Sequence, residues 1–317
     1  MPINHIQFQP GLSLPEFLEQ FGTETQCEAA LEKARWPDGF RCPRCGQAEH
    51  YVLKVRNRKT FQCNSCGVQT SLIAGTLFQS THLMLTTWFL AIYLISEAKT
   101  GLSSLALKRQ LGVSYPTAWL IHHKLMQAMF ERNAKYKLNG KVQVDDVYLG
   151  GELSGGKVGR GSENKVPFVA AVSIDTQGHP MYVNMTPVPG FTRQAISEWA
   201  KSALNPGCQV VSDGLSCFAG VTDADCQHTP IVVGKQKPKE LPDFSWINTM
   251  IGNLKTSLVG AYHAFKFAKY GYRYLAAFEY RFNRRFHLET LPMHLLNAVV
   301  AISARPLKWL RSVKNSC

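Results

Sequence analysis

Four polar side chains have types and an order along the chain that suit chemistry on phosphate esters. Asp145 and Asp213 each end an apolar, strand-like run, and a later segment adds Asn248 and Lys255. Carboxylates at strand ends can gather Mg²⁺ ions, and pairs of Mg²⁺ ions are one means by which proteins cut and join phosphodiester bonds. These residues therefore predict a metal-dependent site with two acids, one neutral amide and one cation.

The strands that carry the acids are predicted from periodicity. In the run Lys141–Tyr148 valines alternate with polar residues, and Asp145 is followed directly by Asp146. Because successive strand residues point to opposite faces, only one of these two aspartates is expected to face the site. Asp213 follows the apolar run 209–212. It is therefore expected at the carboxyl end of a strand, where open α/β sheets hold their ligands.

A helix is predicted to carry the other two residues. Asn248 and Lys255 are seven positions apart, which is about two helical turns, so they are expected to share one face. Taken singly, each aspartate is better explained as a cap or turn residue, and only the ordered set favours a functional site. The apolar residues expected to pack this helix are Met250, Ile251, Leu254 and Leu258.

Four cysteines have the spacing of a zinc site. Cys42 and Cys45 form one C-x2-C pair, Cys63 and Cys66 form another, and seventeen residues separate the pairs. Four thiolates around a tetrahedral Zn²⁺ form a closed structural site, which this spacing favours over four unrelated cysteines or a redox motif. The basic residues around the cysteines predict that this ribbon touches DNA: Arg41, Arg44, Lys54, Arg56, Arg58 and Lys59.

The remaining five of the nine cysteines have no metal spacing and are predicted to be packing residues: Cys27, Cys208, Cys217, Cys226 and Cys317. An odd total disfavours a disulfide scaffold and indicates a reducing compartment, the cytoplasm. Met1–Pro10 lacks the features of a signal peptide, and the longest apolar run, Leu83–Ile95, is too short to span a bilayer about 30 Å thick. That run is expected to form a buried helix, and no membrane partner is expected.

The charge of the chain indicates a polyanionic partner. The formal net charge is +13 and the isoelectric point is about 9.4. Eleven lysines and arginines face two acids between Ile251 and Cys317, where aromatic residues are interleaved with the charges. This pattern is typical of folded helices with a basic surface, and it favours nucleic acid over membrane.

Five segments are predicted. A helical lead-in covers residues 1–40, the zinc ribbon 41–72, a helical DNA-binding region 73–138, an α/β catalytic domain 139–290 and a basic C-terminal helix or tail 291–317. The fold class is therefore a multidomain mixture of α+β and α/β parts.

The helical region contains a candidate helix-turn-helix. Leu102–Met129 has apolar residues at helical spacing, a break at Gly112 and a capping residue at Ser114. The DNA-binding version of this motif would present Tyr115 and Thr117 to a groove. An ordinary helical hairpin explains the same pattern equally well.

Six segments, in order over roughly residues 15–300, resemble bacterial insertion-sequence transposases with an N-terminal zinc ribbon and an RNase H-like DDE domain. They are RWPDGFRCPRCG, GVSYPTAW, VDDVYLGG, VVSDG, WINTMIGNLKTSLVGAYH and EYRFNRR. The resemblance implies an RNase H-like mixed sheet in the catalytic domain. Asp145 and Asp213 match the first two catalytic acids, and Lys255 matches the basic residue seven positions after the third. Asn248 stands where many relatives have glutamate, as it does in some members of the family.

The resemblance implies a DNA transposase that cleaves and joins DNA at terminal inverted repeats by two-metal chemistry. Asp145, Asp213 and Asn248 would hold Mg²⁺ or Mn²⁺, and Lys255 would neutralise phosphate charge. Asp146 and Asp243 are candidates for the missing negative charge. The implied partners are double-stranded DNA, as element ends and target, and further copies of the chain in a synaptic complex, acting at the nucleoid in the cytoplasm.

Three other interpretations stay open or are disfavoured. The neutral Asn248 suits a non-catalytic zinc-ribbon DNA-binding regulator, and an RNase H-like nuclease would use similar residues without strand joining. The run Gly150–Lys165 is predicted to be a polar loop, and within it Gly151–Lys157 nearly spells a phosphate-binding loop. Val158 replaces the required Ser or Thr and no helix is predicted to follow, which argues against an NTPase.

Overall fold

The computed structural model describes residues 9–56, 58–150, 165–232, 234, 241–262 and 265–312. The chain divides into two compact units. The first comprises Met1–Ala98, Ser104–Ala128 and Phe286–Arg311, and the second comprises Lys99–Ser103, Met129–Arg285 and Ser312–Cys317. The finer division into five segments stays a prediction. The predicted loop and near phosphate-binding motif within Gly150–Lys165 fall on residues 151–164, outside the described ones.

The described helices are α1 (Leu14–Phe21), α2 (Glu24–Arg35), α3 (Leu85–Glu97), α4 (Ser104–Leu111), α5 (Tyr115–Asn133), α6 (Arg193–Ala203), α7 (Ser245–Ser257), α8 (Phe267–Asn283), α9 (Leu291–Val300) and α10 (Leu307–Ser312). The described strands are β1 (His50–Val55), β2 (Arg58–Cys63), β3 (Gln69–Ser71), β4 (Lys141–Gly150), β5 (Lys165–Ile174), β6 (Pro180–Pro187), β7 (Gln209–Ser212) and β8 (Gln227–Pro230). Short 3-10 segments, Ser216–Ala224 and Pro242–Phe244, precede β8 and α7, and a π-helical turn, Leu258–Tyr262, extends α7.

Capping residues fix where the first helices begin. Ser13 accepts a hydrogen bond from the backbone of Glu16, whose carboxylate accepts from the backbone N–H of Ser13 at 2.8 Å. Thr23 and Gln26 repeat the arrangement before α2. Reciprocal caps of this kind satisfy donors that a helix start leaves open, so α1 and α2 begin at Leu14 and Glu24.

The first unit joins a three-stranded ribbon to a helical core. β1, β2 and β3 form an antiparallel sheet in that order, and the buried Phe61 of β2 stacks on Phe40 and meets the edge of Trp36. Arg35, at the end of α2, donates to the carbonyls of Ser71 and Leu72 at 2.8 and 2.6 Å. These bonds tie α2 to the ribbon.

The apolar run predicted to be a buried helix is α3, and α9 packs against it and against α2. Leu295, Leu296 and Val299 of α9 are buried. The residues after 286 therefore complete the core of the first unit, which the sequence pattern did not predict. No described helix is long and apolar enough to cross a membrane.

The predicted pair of helices around Gly112 is present as α4 and α5. Gly112 has a φ of +66°, a left-handed conformation that ends α4, and Ser114 accepts from the backbone N–H of Thr117 at 3.3 Å as the cap of α5. Inside the pair, the Ser104 hydroxyl lies 3.0 Å from Nδ1 of the buried His122. DNA contact by this pair stays a prediction.

The second unit is built on a mixed five-stranded sheet of RNase H-like form, in the order β6-β5-β4-β7-β8. β6, β5 and β4 are antiparallel, whereas β4, β7 and β8 run parallel. The antiparallel pairing of β4 with β5 runs its full length, but its pairing with β7 covers only Lys141–Gln143. Beyond Gln143, no described strand pairs with the edge of β4 that faces β7.

The two faces of β4 serve different helices. Val142 and Val144 belong to a buried cluster with residues of α6, including Ile196 and Trp199. Gln143, on the opposite face, accepts a hydrogen bond from the backbone N–H of Ile247 at 3.0 Å, and α7 packs on β4 and β5. The strand period of two thus assigns α6 to one face of the sheet and α7 to the other.

Side chains of α8 and the residues just after it cover the outer edge of β6. The amide of Asn283 forms two bonds with Val183, accepting from its N–H at 2.7 Å and donating to its carbonyl at 2.9 Å. Arg285 donates to the carbonyl of Met181 at 2.9 Å. Glu279, only 6% exposed, accepts from the backbone N–H of Met185 at 3.3 Å, and burial raises its pKa to about 8. The edge strand is thereby satisfied by side chains instead of another strand.

Candidate metal centres

The four predicted zinc ligands come together in the ribbon. Sγ of Cys45 lies 3.5 Å from Sγ of both Cys63 and Cys66, and Cys42 lies 3.5 Å from Cys66. All four sulfurs lie within 4.8 Å of one another. Zn–S bonds of about 2.3 Å in a tetrahedron place sulfurs roughly 3.8 Å apart, so the set fits Zn²⁺.

Two turns of the same form present the sulfurs. Gly46 donates its N–H to the carbonyl of Cys42 at 2.9 Å, and Gly67 does the same to Cys63 at 3.0 Å. Both glycines have a left-handed φ, +75° and +68°, which residues with a Cβ adopt at a cost. Hydrogen bonds from the backbone of Cys45 lower the pKa of Cys42 to about 6, and those from the backbone of Cys66 lower the pKa of Cys63. The turns therefore favour the thiolate form of Cys42 and Cys63, which is the form that binds metal, whereas the neighbouring sulfurs of Cys63 and Cys66 raise the pKa of Cys45.

Two of the six basic residues around this centre are already engaged within the unit. Arg58 pairs with Glu24 at 3.4 Å, and Lys59 pairs with Glu32. Both pairs link β2 to α2. The remaining four are exposed and are the better candidates for a polyanion: Arg41, Arg44, Lys54 and Arg56.

The second centre lies in the mixed sheet and contains three acids. A carboxylate oxygen of each of Asp145, Asp146 and Asp213 lies within 4.8 Å of the other two, and all three residues are half-buried. Ionised carboxylates this close repel one another unless a proton or a cation intervenes. An all-oxygen set of this kind suits a hard divalent cation such as Mg²⁺ or Mn²⁺, so the residues fit the predicted metal.

The expectation that only one of the adjacent aspartates reaches the site was wrong. Asp145 and Asp146 do have opposite strand parity, opposite Ala170 and Val169 of β5. However, β4 has no β7 partner beyond Gln143, so side chains of both parities can reach around this edge. The Asp145 carboxylate also turns along the strand and accepts from the backbone N–H of Asp146 at 2.9 Å.

A tight turn holds Asp213 at the end of β7. Its carboxylate accepts from the backbone N–H of Leu215 at 3.1 Å, across Gly214 with a φ of +84°. The preceding Ser212 is buried, and its hydroxyl lies 2.9 Å from Nε2 of His228 on β8. The predicted position of Asp213 at a carboxyl strand end is thus where the structure has it.

Asn248 and Lys255 lie on α7, exposed and on one face. The predicted packing residues Met250, Ile251 and Leu254 are buried on the other side. The hydrogen bond from Ile247 to Gln143 anchors the start of α7 to β4. Gln143 lies two residues before Asp145 in that strand. This hydrogen bond therefore holds Asn248 on the face of the sheet to which Asp145 belongs by parity.

The two candidates for a compensating acid have different surroundings. Asp146 joins the acidic centre, whereas Asp243 pairs with Lys141 at 2.8 Å. Lys141 is four residues before Asp145, which is about 13 Å along a strand. Asp243 therefore supports the start of β4 and α7, and Asp146 is the acid that reaches the centre.

Sequence reasoning missed the role of Gln143. A buried polar residue between two valines in a strand needs a hydrogen-bond partner, and this signal was available in the run around it. The identity of that partner, the backbone of Ile247, was not, because it lies 104 positions further along the chain.

Comparison with known proteins finds two transposase domain families that match parts of the chain. Residues 137–283 match the ISXO2-like transposase domain, and residues 22–69 match a transposase zinc-ribbon domain. The first range covers the mixed sheet with α6, α7 and α8, and the second covers α2 and most of the ribbon.

A relative from Halobacterium salinarum is described as an uncharacterized protein in transposable element ISH50. It is 28% identical over 141 residues, which are 44% of this chain and 46% of the relative. The chain thus spans about half the length of that relative. Both domains lie in order along one chain, as in the insertion-sequence transposases with an N-terminal zinc ribbon that the chain resembles.

Proposed function

We propose that this protein is a Mg²⁺- or Mn²⁺-dependent DNA transposase that cleaves and joins DNA at the terminal inverted repeats of its element. The observation that carries the proposal is the convergence of Asp145, Asp146 and Asp213 at one strand edge. Helix α7, which carries Asn248 and Lys255, packs on the face of the sheet to which Asp145 belongs by parity.

The three acids contribute to metal binding in different ways. Asp145, in the middle of β4, and Asp213, directly after β7, lie on neighbouring parallel strands and provide the ligands from two sides, and Asp146 adds the negative charge that Asn248 lacks. When bound, divalent cations at such a site supply activation of an attacking hydroxyl and charge stabilisation of the departing 3′-oxygen. The partial burial of the three acids keeps their charges weakly screened by solvent.

The exposed residues of α7 face the DNA. Lys255 contributes a point charge that binds a phosphate of the DNA end, and its exposure leaves it accessible to that phosphate. Asn248 offers a neutral carbonyl oxygen, which is a weaker ligand for a hard cation than a carboxylate. The fixed start of α7 on Gln143 limits the movement of both side chains relative to the acids.

Other parts of the chain bind DNA without taking part in the chemistry. The zinc ribbon, with its exposed arginines and lysine, and the α4–α5 pair recognise the element ends. The exposed basic residues Lys266, Lys308 and Arg311 hold flanking or target DNA through phosphate contacts that weaken with salt, whereas Arg273 and Arg281 are buried. Two ends must meet before joining, so the active form is a homo-oligomer, at the nucleoid in the cytoplasm.

Strand cleavage and transfer by purified protein test this function. The substrate is a labelled duplex from the DNA that flanks the gene, with Mg²⁺ or Mn²⁺. We expect Asp213→Asn to abolish both steps. Asp225→Asn, at an exposed left-handed position in the same unit, is the matched control and retains activity. End binding without cleavage in either metal would instead support the regulator, and cleavage without joining would support the nuclease.

A further inference from the structure

Gly252 lies between the two functional residues of α7. It is four positions after Asn248 and three before Lys255, so it shares their face and lies about 6 and 4.5 Å from them along the helix axis. All three residues are exposed. The carbonyl of Gly252 already accepts from the Thr256 hydroxyl at 3.1 Å, so the Cα is the part of this residue that is open to a ligand.

The described part of the fold gives no reason for a glycine at position 252. Gly252 is outside the set of residues with positive φ, and a Cβ built on it would have no atom of the described residues within 4 Å. Gly220, by contrast, must be a glycine, because a Cβ at that position would clash with the backbone of Arg193. A glycine inside a helix is less stable than alanine by roughly 0.5–1 kcal/mol. The glycine at position 252 therefore lowers the stability of α7 with no gain in packing against the described residues.

We propose that Gly252 is a positioning residue for the DNA strand at the active site. The missing side chain leaves a notch in the exposed face of α7, and the sugar-phosphate backbone of the bound DNA end lies in it. Lys255 then binds a phosphate on one side of the notch while Asn248 reaches the metal-bearing acids on the other. This inference rests on the proposed function, since it names how the same site receives its DNA.

Filling the notch tests the inference. We expect Gly252→Ala to raise the thermal stability of the protein while lowering strand cleavage about tenfold, and Gly252→Leu to abolish cleavage and weaken binding of the end duplex about tenfold. Asn253→Ala and Asn253→Leu are the matched controls. Asn253 is exposed on α7 but lies about 100° further around the helix, so both controls keep the activity of the parent protein.

Two results separate this inference from the proposed function. An active parent with an equally active Gly252→Leu variant overturns the role of Gly252 alone. A parent protein that does not cleave DNA in Mg²⁺ or Mn²⁺ refutes the proposed function. In that case the role of Gly252 is tested by comparing the affinities of the parent and the Gly252 variants for the end duplex, measured by fluorescence anisotropy. Equal affinities of the parent and Gly252→Leu would overturn the inference, and a loss confined to the Gly252 variants would support it.

Discussion

Glu279 makes the second unit less stable as pH rises. Its carboxyl has an ordinary pKa of 4.5 in the unfolded chain, but burial raises the pKa to about 8 in the folded protein, with smaller opposing effects from the Met185 hydrogen bond and the nearby Arg284. The folded state therefore holds more protons than the unfolded state between these values. The contribution of Glu279 to stability is fully present below pH 4.5 and is lost as pH rises from 4.5 towards 8.

The size of the effect follows from these two values. Between pH 5.5 and 7.5 the loss through this single group is about 2–3 kcal/mol, at roughly 1.4 kcal/mol for each pH unit. Glu279→Gln keeps an oxygen for the N–H of Met185 but has no proton to lose. We expect the variant to be similar to the parent at pH 5.5 and more stable than it at pH 7.5, by that amount.

Hydrogen exchange measured by mass spectrometry is the assay, since it reports the opening free energy of β5, β6 and α8 separately from the first unit. Rates are corrected for the intrinsic effect of pH. Glu289→Gln, at an exposed position, controls for the loss of one acid. A difference between Glu279→Gln and parent that stays constant from pH 5.5 to 7.5 would refute the reasoning.

Three further outcomes are expected. Cys45→Ser is expected to leave the purified chain without its zinc ion, measured by metal analysis, and to unfold the ribbon, measured by circular dichroism. A full zinc content in this variant would contradict the four-cysteine site. Asn283→Ala removes both hydrogen bonds to Val183 and is expected to lower the unfolding free energy of β6, measured by hydrogen exchange, by about 1–3 kcal/mol. Unchanged hydrogen exchange in β6 would refute the role of Asn283. Gln143→Leu removes the hydrogen bond that holds the start of α7 at Ile247. We expect DNA cleavage to fall at least tenfold while the affinity for Mn²⁺, measured by calorimetry, stays within twofold. A loss of Mn²⁺ affinity as large as the loss of cleavage would contradict this role of Gln143.

The local elements could be predicted from the sequence because each has a short-range cause. The alternation in Lys141–Tyr148 predicted β4, the cap at Ser114 predicted the start of α5, and the two C-x2-C pairs predicted the ribbon. Each signal lies within a few residues of the structure that it predicts. Capping, strand period and metal spacing are local chemistry, so these predictions were confirmed.

Pairing over long distances could not be predicted in the same way. The position of Asp146 depends on where β7 stops pairing with β4, which no pattern near Asp146 records. The partner of Gln143 and the bond between Asp243 and Lys141 join residues about a hundred positions apart. The roles of Asp145, Asp213, Asn248 and Lys255 in catalysis stay predictions that the proposed assays test.

The chain leaves the first unit at Ala128 and returns to it at Phe286. A truncation after Arg285 would keep every residue of the proposed active site, yet it would remove α9 and expose the buried side chains of α2 and α3 that α9 covers. The damage from a C-terminal nonsense mutation would thus fall first on the unit that holds the zinc ribbon. Producing that unit alone requires splicing residue 128 to residue 286, because no single cut in the chain separates the two.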